Sequence, residues 1–378
     1  MFKQKILILG DGLTAKLAAS LLSKLDLEIE LVALRLNLQE KKNNRTIAIS
    51  NSNFNFLKKK FCNVKSKKIF WPIDRIKIYD DKINVSELLD FNSPVKNKNI
   101  AYVGYNNKIQ FFLEKQIDKN LKTSYLKLEK IKKIIKNKNS YQLILNCTGD
   151  NSWISKNYFK NKSLSKKYNQ SAITTIIKHS KIDNHIARQI FCKEGPLAIL
   201  PLDINKSAIV WSVKNNILLD NRQKIKKEFI FKLKNILSNF FLIKDISKLD
   251  LRELNFSLSE KYFSNRILNL GDSLHQIHPL AGQGFNMTIR DLEILEKILK
   301  SKIDLGLDLG DATALNEFSE AAKYKNFVFA NSIDLTHYIF SKKNTFFKKI
   351  RNFTLDQINQ QTKVKNFLLT VADRGLRF

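Results

Sequence analysis

A strand-to-helix junction at residues 266–291 constrains this chain more than any other stretch. The apolar run Arg266-Ile-Leu-Asn-Leu270 reads as a strand and leads directly into Gly271-Asp272. A turn around Pro279 follows, then the small residues Ala281, Gly282 and Gly284, and from Asn286 a strongly helical pattern. Small residues at such a junction let a bulky anionic ligand approach the backbone, and free amides at the helix start give it donors. The ligand implied is flat, phosphate-bearing and deeply held.

The N-terminus carries a second junction of the same kind. Lys5-Ile-Leu-Ile-Leu9 is a short apolar run, followed by Gly10-Asp11-Gly12-Leu13-Thr14-Ala15 and a helical pattern through Leu25. Strand, G-x-G-x-x-A and helix make the dinucleotide-binding arrangement, in which the glycines open the turn and the helix start receives a pyrophosphate. Together the junctions suit a dinucleotide held at two places. One departure stands out. The arrangement expects an acid at the end of the second strand to hold the ribose hydroxyls, but Leu31-Val-Ala-Leu34 ends in Leu34-Arg35. Either Arg35 or Gln39 contacts the ribose or adenine instead, or the adenosine end is held less tightly and Arg35 is a solvated loop cation.

The block Gly-Asp-x-x-His-x-x-x-Pro-x-x-Gly-Gln-Gly-x-Asn, residues 271–286, resembles the second flavin-binding fingerprint of the single-component (group A) FAD-dependent aromatic hydroxylases. Its wording His278-Pro-Leu-Ala-Gly-Gln-Gly-Phe-Asn286 is most similar to the ubiquinone-biosynthesis hydroxylases within that group. The resemblance implies FAD contacts from Gly10, Gly12, Leu13, Thr14 and Ala15 at one end. At the other it implies Gly271, Asp272, Pro279, Gly282, Gln283, Gly284, Phe285 and Asn286. Asp272 would bond the ribityl or pyrophosphate region and Pro279 would shape the wall beside the ring. The helix start near Gly282 would set its positive dipole beside N1 and O2 of the reduced flavin.

Further blocks follow in the family's order. Arg45-Thr-Ile-Ala-Ile-Ser50 resembles the Arg-x-x-Ala-x-Ser stretch whose arginine lies beside the flavin, so Arg45 is the candidate there, against the alternative of an ordinary surface arginine. The family's Asp-Gly-x-x-Ser-x-x-Arg motif falls on residues 148–155, where Ser152 aligns but Thr148 replaces the acid and Ser155 the arginine. Asp150 and Lys156 are near enough to substitute after a register shift. The change leaves the reductant open between NAD(P)H and a ferredoxin-type donor, with dioxygen as co-substrate. Residues 168–172, 195–202 and 210–212 resemble the substrate-domain opening of the same hydroxylases. Apolar runs at 172–177 and 207–213 read as strands of a sheet covering the ring, with Pro196 and Pro201 marking an edge or bend.

The expected fold class is α/β. A Rossmann-like FAD-binding domain of the aromatic hydroxylase type would be assembled from residues 1–55, 95–160 and 255–310. An interleaved β-sheet substrate domain would come from 56–94 and 161–254, and a C-terminal helical region would span 311–378. Helical patterns at 292–299, 312–324, 327–340, 346–358 and 364–371 suggest a layer packed on the FAD domain. The alternative is that the last basic amphipathic helices, through Phe346, Phe347, Phe353 and Phe367, touch a membrane or a partner.

Composition excludes other classes. In 378 residues no stretch approaches the roughly 20 apolar residues of a spanning helix, and the first strand begins too early for a signal peptide. These point to the cytoplasm. Cys62, Cys147 and Cys192 lack C-x-x-C spacing and read as buried thiols, and the histidines lack metal spacing, so no metal is expected. The net charge of +31 invites a nucleic-acid reading, but the lysines are spread along the chain among Asn and Ile, as AT-rich codons produce, and no nucleic-acid motif occurs. A basic face would also attract an anionic bilayer by about 1 kcal/mol per well-placed cation, compatible with peripheral attachment to the inner face of a membrane.

These readings converge on an FAD-dependent monooxygenase hydroxylating the ring of a polyprenylated phenol in ubiquinone biosynthesis, alongside enzymes of that pathway. By resemblance the oxygen is delivered from a flavin C4a-hydroperoxide. The alternatives are another FAD oxidoreductase on this scaffold and a flavin-binding accessory subunit with weakened catalysis. No side chain stands out as catalytic; His278 and Pro279 are the candidates.

Overall fold

The computed structural model describes the chain except residues 1–2, 35–44, 62–68, 81–85, 94–97, 118–120, 138–139, 150–151, 160–162, 216–221, 280–281, 342–357, 359 and 376–378. Its first sheet is built on β1 (Gln4–Leu9), whose residues Ile6 to Leu9 are buried on both faces. A near-continuous apolar strand of this kind belongs inside a parallel sheet covered on both sides. β1 pairs in parallel with β2 (Leu27–Leu34) and β9 (Leu143–Asn146), and β2 in turn with β8 (Lys122–Leu126). β17 (Ile267–Asn269) extends the sheet beside β9, and the short β16 (Phe263–Ser264) closes that edge.

The two faces of this sheet separate by alternation along the strands. Ile6, Ile8, Leu143 and Leu145 pack with α1 (Leu13–Leu22), α3 (Asn106–Glu114), α7 (Gln283–Asp304) and α8 (Ala312–Ser341). Leu7, Leu9, Val32 and Ile144 pack instead with α4 (Leu128–Lys136) and α5 (Trp153–Tyr158). A smaller sheet of β3 (Thr46–Ser50), β4 (Phe70–Ile73) and β7 (Ala101–Tyr105) stands beside this body, with α2 (Asn51–Lys60) following β3.

The large sheet runs β18 (His275–Gln276), β15 (Asp250–Ser259), β10 (Ser163–His179), β13 (Lys206–Lys214), β12 (Pro196–Asp203), β11 (Ile186–Phe191), β5 (Arg75–Asp80) and β6 (Ser86–Asn92). β14 (Ile243–Ile246) pairs with β10 off this path. One face buries Ile173, Ile177 and Trp211 against Phe229, Leu233 and Leu237 of α6 (Arg222–Leu237). The other sets Ile176, Leu202 and Ala208 against Ala48 and Val103 of the three-stranded sheet. β10 is the longest of these strands and carries a register shift between Lys167 and Gln170, where Asn169 has φ 52. Pro196 opens β12, and Pro201 sits at its register shift, positions that need no ladder donor.

Two details differ from the sequence expectation, and a third agrees. β4 pairs with β7, and Phe54 and Leu57 of α2 and Phe70 of β4 enter the core around β1, so described residues on both sides of the division expected at 55 pack with the first sheet. The segments expected at 312–324 and 327–340 form the single helix α8, since no glycine or proline interrupts it. The helix expected at 364–371 is α9 (Thr362–Arg374), whose Asp373 carboxylate accepts from the Ser52 amide at 2.7 Å at the start of α2. Most of the segment expected at 346–358 lies outside the described residues, as does Cys62.

Candidate functional site: an open cleft between the sheets

A cavity of about 470 Å³ opens where the first sheet, β3 and the start of α7 meet. Gly10, Gly12, Leu13 and Thr14 form one wall, Arg45 another, and Asp272, Pro279, Gly282, Gly284 and Phe285 a third. The two junctions found in the sequence therefore face a single space.

Two helices start at this cleft without a side-chain cap. α1 begins after Gly12, and α7 after Gly282, which is left-handed at φ 64. First-turn amides have no partner within their helix, and a helix start carries roughly half a positive charge. Each start is thus a place for an anionic group. Gly10 makes the first approach possible: it has φ +133, and a Cβ there would lie 2.7 Å from the Cys147 carbonyl oxygen.

Arg45 supplies the full charge. Burial holds its pKa below the ordinary arginine value, Arg252 of β15 adds to the lowering, and Asp272 and Asp250 oppose it. A guanidinium still stays protonated at physiological pH. Asp272 itself is exposed at the cleft wall.

The loop from Gly271 to Gly282 is fixed from behind. Gly271, with φ +62, backs onto Thr14 so closely that a Cβ would collide with that side chain, which explains a glycine in a residue that does not line the cleft. His275 is buried, its Nε2 2.7 Å from an Asp291 carboxylate oxygen. Asp291 also accepts from Asn326 at 2.9 Å, and that amide lies 3.2 Å from the Tyr262 hydroxyl. His278 sits 3.2 Å from the Gln170 side-chain oxygen, edge-on to the Tyr168 ring at 5.1 Å. It braces β10 against the loop just before Pro279 and stands behind the cleft wall rather than in it.

Two further sequence candidates prove to be supports. Ala15 is fully buried under α1 and allows close helix packing. Asn286 has every side-chain bond taken by protein: its oxygen accepts from Ser50 N and Asn53 Nδ2, both at 2.9 Å, and its amide donates to Ala48 O at 2.9 Å and Gly282 O at 3.2 Å. It pins α7 to β3 and α2 instead of reaching a ligand. Gln283 is half-buried outside the cleft lining, its side-chain oxygen without a partner, and Arg35 lies outside the described residues.

The residues replacing the family's acid and arginine keep the turn. Thr148 lines the cleft and donates its hydroxyl to Asn146 at 2.5 Å, while Ser155 donates to the Gly149 carbonyl at 3.0 Å. Ser152 caps α5 by accepting from Ser155 N at 3.1 Å. Lys156 is exposed and not among the cleft residues, and Asp150 lies outside the described residues.

Asn106, Gln110, Cys147, Ile277 and Thr288 also line the cleft and carried no sequence signal. Asn106 and Gln110 arrive on α3, which tertiary packing alone brings here. Burial pushes the Cys147 thiol up. His179 and His185 are structural, stacked on Phe241 at 4.3 Å and on Trp71 at 5.1 Å.

Register gives the face of the large sheet that is turned toward β3. Ile176 pairs with Ala208, then Thr174 with Val210 and Ala172 with Ser212, all on the face turned toward β3, and the row ends at Gln170 beside His278. Mostly small side chains thus occupy the stretch between the packed end of the sheet and the loop at Pro279.

Two uncapped helix starts, a half-buried arginine and a glycine-permitted backbone approach suit a phosphate-bearing cofactor such as FAD. The fold is α/β, of the type seen in solved monooxygenase structures. Residues 139–304 match the family described as FAD binding domain. The ubiquinone biosynthesis monooxygenase COQ6, mitochondrial, of Dictyostelium discoideum is 27% identical over 277 residues, covering 61% of this chain and 55% of the relative. The ubiquinone hydroxylase UbiL of Rhodospirillum rubrum is 27% identical over 175 residues, covering 46% and 41%. The chain spans about half the length of the curated relatives it matches. In fold it is similar to p-nitrophenol 4-monooxygenase PnpA of Pseudomonas putida DLL-E4, with TM-score 0.77, 12% identity and 100% and 99% of the two chains covered. Klebsiella pneumoniae HpxO complexed with FAD and uric acid gives TM-score 0.75 at 12% identity, covering 98% and 97%. Among the described residues no helix is long and apolar enough to cross a membrane.

Proposed function

We propose that this protein is an FAD-dependent monooxygenase that hydroxylates the aromatic ring of a polyprenylated phenol in ubiquinone biosynthesis. The observation that carries the proposal is the pair of uncapped helix starts, after Gly12 and after Gly282, opening onto one cleft with Arg45 between them. The names of the COQ6 and UbiL relatives supply the substrate class.

Bound FAD, once reduced, supplies the activation of dioxygen and the electrophilic oxygen. The chain's task is to bind, orient and exclude water. Gly10 to Thr14 receive the pyrophosphate, Asp272 accepts from ribityl hydroxyls, and the start of α7 stabilises negative charge at the ring edge. Pro279 and Ile277 form the wall beside the ring. The small residues Ala172, Thr174 and Ser212 leave room for a phenol under the sheet, and no side-chain acid or base is required. Electrons come from NAD(P)H or a ferredoxin-type donor. The basic surface favours a site at the anionic inner face of a membrane, near other enzymes of the pathway.

Expression in bacterial strains lacking their own ubiquinone hydroxylases, one ring position at a time, followed by mass spectrometry of the quinone pool, tests this. Restored ubiquinone is expected in at least one strain. Failure in all of them, with a purified protein yellow from bound FAD, would sink the assignment. The departures at Thr148 and Ser155 favour a second reading, a flavin-binding accessory subunit, for which phenol-dependent oxygen consumption would be absent.

A further inference from the structure

One face of the large sheet carries charge beside the cleft. Ala172 pairs with Arg252 and Thr174 with Asp250, and residues opposite one another in an antiparallel pair project from the same face. That face is the one turned toward β3, so Arg252 and Asp250 stand one strand beyond the small residues Ala172 and Thr174, about 4.8 Å away. Arg45 approaches from the cleft wall, just before β3. We propose that Arg252 and Arg45 together hold the hydroxyl of the phenol substrate as its phenolate, the ionised form whose ring is richest in electrons. The inference rests on the proposed function and adds to it two residues that act on the reacting ring.

Charge points to an anion between them. Burial does most to lower the Arg45 pKa and Arg252 adds to it, so the two guanidinium groups repel each other; Asp272 and Asp250 act the other way and offset this only in part. Among the described residues the arginines that form ion pairs with carboxylates are Arg75, Arg266 and Arg374, and neither Arg45 nor Arg252 is with them. Arg45 is half-buried and Arg252 exposed. A partly buried cation that faces another without a counter-charge is unfavourable, and an anion set between them relieves both.

The phenol supplies that anion. Its hydroxyl is the one ionisable group of a phenol whose tail is hydrocarbon, and an opposite charge within about 4–6 Å favours the ionised form. The proton passes to water at the open mouth of the cleft, and no bond to carbon changes. Arginine suits the task because it keeps its own proton throughout. A ring under Ala172 and Thr174 has Arg252 beside it on the sheet and Arg45 across from it on the cleft wall. Further titratable groups on this face are His278 beside Gln170, Lys214 opposite Gln170, and Tyr105, which burial keeps protonated.

The test titrates a prenylated nitrophenol bound to the FAD-loaded protein, reading its ionisation from the absorbance difference against the protein alone. Its pKa should be lower bound than free. In Arg252→Gln the bound pKa should rise by about one pH unit, and the acid limb of the kcat profile for the substrate should move to higher pH with it. FAD content, the flavin spectrum and Tm should match the parent, since Arg252 is exposed. Arg252→Lys should recover part of the shift, and Asp250→Asn should move the bound pKa the other way, because it removes a negative charge beside the phenolate. A bound pKa unchanged in Arg252→Gln, or a loss of FAD in that variant, would overturn the inference. If no phenol is ever hydroxylated, the proposed function fails, whereas the titration of the bound nitrophenol still decides whether Arg252 favours its ionised form.

Discussion

At the α1 end of the cleft, the adenosine end of the proposed function, the wall is made by backbone shape: Gly10 turns at φ +133 against the Cys147 carbonyl, and α1 starts after Gly12 with no side-chain cap. At the α7 end, the ring end of that proposal, the loop is held by buried side chains, Asn286 to β3 and α2, His275 to Asp291, and His278 beside Gln170. The adenosine end also lacks the usual ribose acid at Leu34. The difference places positional control where chemistry happens. A ring must be oriented for reaction, and a site fixed by side-chain hydrogen bonds tolerates less misplacement than one fixed by a turn.

The comparison is broken most severely at Asn286. Asn286→Ala removes its bonds to Ala48, Ser50, Asn53 and Gly282 and leaves buried donors and acceptors unpaired. A loss of about 3 kcal/mol is expected, read as a lower denaturant midpoint together with release of FAD. An unchanged midpoint would show that the ring end is not held this way. Asp291→Ala should cost about 2 kcal/mol, since it strips buried His275 and Asn326 of an ionised partner. FAD retention after gel filtration should fall with it, and Pro279 variants should not reproduce the fall in stability.

Gly10→Ala addresses the other end. A side chain there meets both a left-handed φ and a backbone oxygen at 2.7 Å, a strain of roughly 1–3 kcal/mol. The expected outcome is FAD affinity weaker by about tenfold or more by fluorescence titration, with a smaller drop in denaturant midpoint than Asn286→Ala. A larger drop would mean that the adenosine end, and not the ring end, organises the fold.

Much of this was legible in the sequence because junction motifs are local. Gly10, Gly12, Pro279, Gly282 and Gly284 stand at fixed offsets from strands and helices, and the structure brings them to one cleft. The expected α/β architecture follows from the doubly buried run at Ile6 to Leu9 and the alternating runs of β10 and β13. What the sequence concealed depends on long-range packing. Asn286 looked like a ligand contact because it sits in the motif, yet its four bonds go to residues more than 230 positions away and to its own helix turn. Asn106 and Gln110 reach the cleft only because α3 packs on α1. The break expected in α8 failed to appear because no glycine or proline stops the helix there.

The smallest expected effect would sharpen the contrast rather than break it. Leu34 is the last residue of β2, the position from which a carboxylate reaches ribose hydroxyls in this arrangement. Leu34→Glu adds acceptors for two hydroxyls that otherwise bond water, so the net gain is the modest one of exchanged hydrogen bonds, about 1 kcal/mol or less. FAD should bind up to about fivefold more tightly, with the flavin absorbance spectrum unchanged, because the ring end does not feel the substitution. If affinity does not rise, another group already serves the ribose, with Arg35 and Gln39 next in the chain, and the adenosine end is complete by a different solution. If the spectrum shifts as well, the two ends are mechanically coupled, and Gly271, packed against Thr14, is the contact through which that coupling would pass.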